Sequence, residues 1–160
     1  MASGVKVSDE VKQIFNEMKV VKNDADEKER IRIVLLWIDG DIKVEKIYRE
    51  KDLEDLNDVF KFVKGLMRPD QSRYFLYDCH FETKDSGRKE ELVFMMWAPD
   101  DAPMKSRMQY ASSKNAMQRS VQGVKHCFEV HDIEDMDPDS FAERLKHKVL
   151  KMEGHPLRGN

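Results

Sequence analysis

From Arg30 to Ile38 the chain reads RIRIVLLWI, a short run rich in β-branched residues that predicts a strand. The DGD at 39–41 predicts a hairpin turn into a second strand, IKVEKIY. Upstream, Val11, Ile14, Phe15 and Met18 recur at helical spacing behind Ser8 and Asp9, either of which can cap a helix. The polar stretch KNDADEKER breaks that pattern. Downstream, Leu53, Leu56, Val59, Phe60, Val63 and Leu66 return to a helical period that stops at Pro69. Two more strands follow, SRYFLYDCHF and EELVFMMWA, joined by the polar turn TKDSGRK. Pro99 and Pro103 bracket the start of a long helix, and VKHCFEV is one more strand. Asp137 and Pro138 cap and open a last helix, predicted to run through Leu150.

The predicted order is α-β-β-α-β-β-α-β-α. Hairpin-linked strand pairs joined by helical crossovers imply an α/β fold, a mixed central sheet with helices on both faces. Alternation fades in IVLLWI and LVFMMW, as it does in strands buried on both sides. No repeat, linker or low-complexity segment interrupts the pattern, so the 160 residues read as one domain.

Composition narrows the function. Charged residues make up 37% of the chain, yet the net charge is only −3, which speaks against non-specific nucleic-acid binding. Charge-driven recognition must therefore be local. Cys79 and Cys127 sit in separate apolar runs and read as two buried, reduced thiols. The start, MASGVKVSDEVK, has no apolar segment of the kind that directs secretion. The expected location is the cytoplasm.

The long helix raises a question. On a wheel of about 100° per residue, Tyr110, Met117, Val121 and Val124 share one sector, while Met104, Met108 and Ala111 share another, roughly 130° away. Lys105 and Arg107 flank the second stripe, with Lys114 on the Arg107 side. A helix lying on a sheet needs one apolar stripe, and the Tyr110–Val124 sector is the natural one. The methionine stripe would then face outward inside a cationic rim, the anatomy of a protein-binding surface. The alternative is a helix that bends after Ala111 and buries both stripes in turn. Pattern alone does not decide between them.

At these residues the sequence resembles the actin-depolymerising factor/cofilin family. The resemblance is carried by MASGVKVSDEVKQIFNEMKV at the start, by SRYFLYD with FETK, and by ELVFMMWAPDDAPMKSRMQYASSKNAM; GVKH and FAERL extend it. It spans nearly the whole chain and is strongest between Arg73 and His126. It implies a single ADF-homology domain over 1–160 with a gelsolin-like fold, a flexible N-terminus at 1–7 and a C-terminal tail at 152–160. It also implies a protein without cofactor or metal that binds monomeric and filamentous actin, promotes severing and depolymerisation, and works as a monomer at the cytoskeleton.

The same resemblance assigns residues. Ser3, Gly4, Met104, Lys105, Arg107 and Met108 match the surface that enters the cleft between actin subdomains. Ser3 matches the serine whose phosphorylation switches the family off, which implies a regulatory kinase and phosphatase. Arg88, Lys89, Glu143 and Arg144 match a second face that contacts a neighbouring subunit of the filament. Glu91, Lys125 and His126 match a pH-sensitive and phosphoinositide-binding area. Departures exist: the family's basic run late in the long helix is here Gln118, Arg119 and Ser120, and the nuclear-entry signal is interrupted in EKERIRI, where Glu29 separates Lys28 from Arg30.

No catalytic constellation competes with this reading. His126 and Cys127 are adjacent on a strand and point to opposite faces, so they cannot act as base and nucleophile. No Cys/His spacing fits zinc and no phosphate-binding loop is present. Two other functions share the residues. A glia maturation factor-like protein would act on the Arp2/3 complex as a branch regulator and stay in solution when pure filaments are pelleted. A phosphoinositide-binding surface protein would keep its lipid binding after loss of Met108 and Lys105.

Overall fold

The computed structural model of the protein describes residues 5–20 and 27–158. Five strands form the body of the sheet: β1 (Ile31–Asp39), β2 (Asp41–Arg49), β3 (Arg73–Thr83), β4 (Gly87–Trp97) and β5 (His126–Val130). They lie in the order β2-β1-β3-β4-β5. All neighbours are antiparallel except β4 and β5, which are linked by the helix α3 (Met104–Ser120). A parallel pair needs such a crossover, whereas β1–β2 and β3–β4 close through tight hairpins. In the first of these, Gly40 supplies a φ of 75° between the paired Asp39 and Asp41.

Alternation along β3 and β4 divides the interior. Phe75, Tyr77, Cys79 and Phe81 of β3, with Val93, Met95 and Trp97 of β4, face α2 (Val59–Gly65) and α4 (Pro138–Arg144), whose Phe60, Val63, Phe141 and Ala142 complete one core. Tyr74, Leu76, Phe94 and Met96 face the other way, toward Val11, Phe15 and Met18 of α1 (Asp9–Lys19) and Tyr110 and Met117 of α3. Helices thus cover both faces of a mixed sheet, as the sequence pattern implies. No helix among the described residues is long and apolar enough to cross a membrane.

Several boundaries differ from the sequence reading. The period from Leu53 to Leu66 is broken. Glu50–Leu53 forms a 3-10 turn, Leu56 is exposed, and α2 starts only at Val59. Asp58 decides this, because its side chain accepts from the Lys61 N–H at 3.2 Å as an N-cap, and capping overrode the hydrophobic period. The last helix stops at Arg144, with Lys146 in the left-handed region at φ 60°. Where that helix is expected to end, β6 (Val149–Met152) begins and pairs with β7 (His155–Pro156), which lies within 152–160. It turns through Glu153 and Gly154, both at positive φ, the geometry that matches strand twist in a two-residue hairpin loop. A register shift where β6 pairs with β3 lets Val149 and Met152 both point inward despite their spacing of three.

Residues 5–7 run beside β2. Ile42 N–H donates to the Lys6 carbonyl at 2.7 Å, and Ser8 N–H donates to the Ile42 carbonyl at 3.0 Å. The segment therefore pairs with the outer edge of β2 at Ile42, near the start of the strand. Cys79 is buried, but Cys127 is exposed. β5 ends the sheet, and only its Phe128 and Val130 side pack on a core.

A buried polar network joins β1, β3 and the turn between β6 and β7. β3 pairs with β1 from Tyr74 to Tyr77 and with β6 from Phe81 to Thr83. In the gap between them, Arg32, only 2% exposed, donates to the Asp78 carbonyl at 3.1 Å, to Glu50 at 2.8 Å and to Glu153 at 2.6 Å. Tyr77 also donates to Glu153. Burial works against the Arg32 charge, but Glu153 and the other acceptors outweigh it and hold the guanidinium firmly protonated.

Candidate functional site

α3 is fastened along one side. Tyr110, Ser113 and Met117 are buried, and Tyr110 Oη accepts from the Ile38 N–H at 3.0 Å while its ring packs on Tyr74 with centroids 5.0 Å apart. This side is the Tyr110–Val124 stripe, with Val121 fully buried and Val124 packed against the core. The other stripe is outside. Met104 and Met108 are 67% and 64% exposed, the most exposed large apolar side chains among the described residues. Ala111 is exposed as well. The bent-helix alternative, with both stripes buried, is not what the fold adopts.

The charges around the two methionines are arranged against helix stability. The first turn of α3 holds no acid, and no side chain caps it. Lys105 and Arg107 stand where the helix dipole is positive, an unfavourable placement of about 0.3–1 kcal/mol per exposed charge. Lys105 is exposed and has no ion-pair partner among the described residues. Arg107 is half-buried; it donates to the Ala102 carbonyl at 3.2 Å and lies 3.9 Å from Asp100. Lys114 has left the rim, since it pairs with Glu129 at 2.6 Å. The front of α3 is thus an apolar pair with an unneutralised cation beside it, suited to an acidic surface with an apolar centre.

Arg88 and Lys89 follow the β3–β4 turn, Arg88 projecting outward and only loosely associated with Glu90 at 3.9 Å. Glu143 is exposed on α4. Arg144 is partly engaged, donating to the Glu129 carbonyl at 3.2 Å and lying over the Phe128 ring. Ser3 and Gly4 lie outside the described residues. In the interrupted basic segment, Lys28 pairs with Glu54, Arg30 pairs with Asp78 and Glu90, and Arg32 is in the buried network.

Glu91 and His126 are brought together, Nε2 to Oε1 at 2.8 Å, with Lys125 exposed next to them. The sequence reading left out a third member. His147, in the connection after α4, places its Nε2 3.1 Å from the same oxygen. No spacing links His147 to Glu91 in the sequence; only the β6–β7 hairpin does. Burial by itself raises the Glu91 carboxyl, but the hydrogen bond from His126 and the charge of His147 outweigh it and hold the group below the ordinary carboxylate range.

The sequence profile of the cofilin/tropomyosin-type actin-binding proteins matches residues 4–146. Actin depolymerization factor 2 of Plasmodium berghei superposes with a TM-score of 0.75 at 26% identity, over 91% of this chain and 99% of that one. Streptomyces griseoflavus cofilin gives 0.71 at 24% identity, over 89% and 99%. The ADF-like UNC-60A protein of Caenorhabditis elegans gives 0.70 at 23% identity, over 91% and 96%. The last two likenesses concern the fold.

Proposed function

The chain belongs to the cofilin/tropomyosin-type actin-binding protein family, and on that premise we propose that it binds monomeric and filamentous actin and promotes filament severing and depolymerisation. The observation that carries the reading is the outward apolar pair Met104 and Met108 beside Lys105, which is exposed and has no ion-pair partner among the described residues. A fold that needed α3 only as cover for its sheet would have no use for that pair. On this reading the front of α3 enters the cleft of an actin subunit, the methionines filling it and Lys105 and Arg107 orienting the approach. Cations on the rim raise the association rate more than the affinity.

The reaction is mechanical rather than chemical. A ligand that binds one conformation of a filament better than another shifts the population toward it. The protein wedges between longitudinal neighbours, stabilises an altered twist, and leaves boundaries with bare segments where the filament breaks. Fluorescent filaments watched under the microscope should fragment or shorten when the pure protein is added. Filaments of unchanged length and number would overturn the proposal.

The second face, Arg88 and Lys89 after the β3–β4 turn with Glu143 and Arg144 on α4, contacts the neighbouring subunit. Replacing Arg88 and Lys89 by alanine is expected to weaken filament binding about tenfold while leaving monomer binding within twofold, as removal of two rim charges at one of two faces would do. Pelleting and monomer titration measure the two arms, and equal loss in both would contradict the two-face arrangement.

Regulation enters at Ser3. A phosphate adds about −1.5 to −2 charges at pH 7, and next to an acidic partner it repels. Ser3→Glu is expected to weaken monomer binding severalfold, and an unchanged affinity would remove Ser3 from the switch. Lys125, His126 and Glu91 form the pH-sensitive area, where phosphoinositide headgroups compete with actin. The protein is placed at the cytoskeleton in the cytoplasm as a single ADF-homology domain.

A further inference from the structure

The two flanks of α3 are electrostatically unequal. On a helical wheel, Arg107 and Lys114 lie to one side of the Met104–Met108 stripe, and Lys105, Ala116 and Arg119 lie to the other. The first side is neutralised locally. Lys114 donates to Glu129 of β5 at 2.6 Å, a bond that holds the Glu129 carboxyl below the ordinary carboxylate range. Arg107 donates to the Ala102 carbonyl at 3.2 Å and lies 3.9 Å from Asp100.

The second side faces α1 across an open groove of about 710 Å³. Ala116, Arg119 and Ser120 form its α3 wall, and Lys6, Asp9 and Lys12 stand opposite. Lys6 is fixed there because its carbonyl accepts from the Ile42 N–H at 2.7 Å. Lys12 is fixed by α1, whose Val11 and Phe15 are buried. Lys6, Lys12 and Arg119 are all exposed, and none has an ion-pair partner among the described residues. Asp9 is the sole acid among the described residues that line the groove. Cations gathered around a cleft focus their field into it.

We propose that this groove takes an acidic segment of the same actin subunit whose cleft receives Met104 and Met108. The inference rests on the proposed actin binding. Lys105 and Arg119 share the flank over about 20 Å of helix at 1.5 Å per residue, so one acidic surface can follow it from the methionines into the groove. The opposite flank offers such a surface little, because its cations already have local partners. The asymmetry thus sets which way round the subunit sits on α3. The volume is that of a small-ligand cleft, enough for a few side chains of an extended segment and too small for a folded element. Continuity with the methionine pair favours a protein carboxylate over a lipid headgroup, since one partner then covers both.

The test compares a Lys6→Ala, Lys12→Ala double variant with Lys114→Ala in equilibrium and stopped-flow binding of monomeric actin. The double variant is expected to bind roughly three- to tenfold more weakly, through slower association and a flatter salt dependence. Lys114→Ala should stay within about twofold of the wild type, although it strips a cation from the same helix and leaves Glu129 uncompensated. Urea midpoints matching the wild type check that the fold is intact in both. An unchanged affinity in the double variant would overturn the proposal. So would an equal loss per charge removed in the two variants, which would mean that net charge alone acts. Retained actin binding with lost binding to phosphatidylcholine vesicles containing phosphatidylinositol bisphosphate would assign the groove to a lipid headgroup instead. If the wild type itself fails to bind monomeric actin, the actin reading has failed and the proposal falls with it.

Discussion

Replacing Met104 and Met108 together by alanine is expected to lower the affinity for monomeric actin roughly 30- to 150-fold. Full burial of a methionine side chain is worth about 1.5–3 kcal/mol relative to exposure, and alanine keeps part of that contact. A loss of about 1–1.5 kcal/mol per position gives about 2–3 kcal/mol together, and each 1.4 kcal/mol is tenfold. The fold should be unaffected. Both side chains are about two-thirds exposed, alanine is the best helix former, and such surface changes fall within about ±0.5 kcal/mol. Unchanged urea midpoints alongside the weakened binding, measured by monomer titration, would separate recognition from stability. Lys105→Ala should act differently, slowing association and flattening its salt dependence.

The largest effect on stability is expected at Arg32. Arg32→Met strands Glu153, which is buried against Tyr77 in the turn between β6 and β7 and loses its guanidinium. Breaking a buried pair by removing one partner costs about 3–5 kcal/mol, a large part of the 5–15 kcal/mol that holds a typical domain together. Removing both partners should cost much less, because no uncompensated charge is left behind. Urea unfolding of Arg32→Met, Glu153→Met and the double variant closes the cycle. A double variant as unstable as the sum of the two singles would show that the pair is not coupled across the gap between β1 and β6.

These two sites also mark what the sequence discloses. The outward stripe on α3 is visible from spacing, because Tyr110, Met117 and Val121 already supply the single core face a helix needs. Spacing leaves open only whether the helix bends, and Tyr110's bond to the Ile38 N–H, together with the burial of Met117, keeps the core stripe on the sheet. Arg32 is not visible. In RIRIVLLWI it alternates like a solvent-facing residue, and its burial depends on Glu153, far along the chain in a segment that reads as a tail. The β6–β7 hairpin has only four residues in its first strand and two in its second, too short for a period to register. His147 was lost with it. The Leu53–Leu66 helix failed for the opposite reason, since its hydrophobic period is clear but the Asp58 cap is the stronger local term. The cofilin-like motifs identify the family from Arg73 to His126, yet the Glu91 contact with His147 lies outside any motif.

On this reading the front of α3 presents its methionines to actin. The most direct measurement is of the methionine ε-methyl resonances in the complex with monomeric actin. Met104 and Met108 should shift or broaden on binding, while Met117, fully buried beneath the same helix, keeps its position apart from general broadening. Saturation by actin with the Met104 and Met108 signals unchanged would contradict the account.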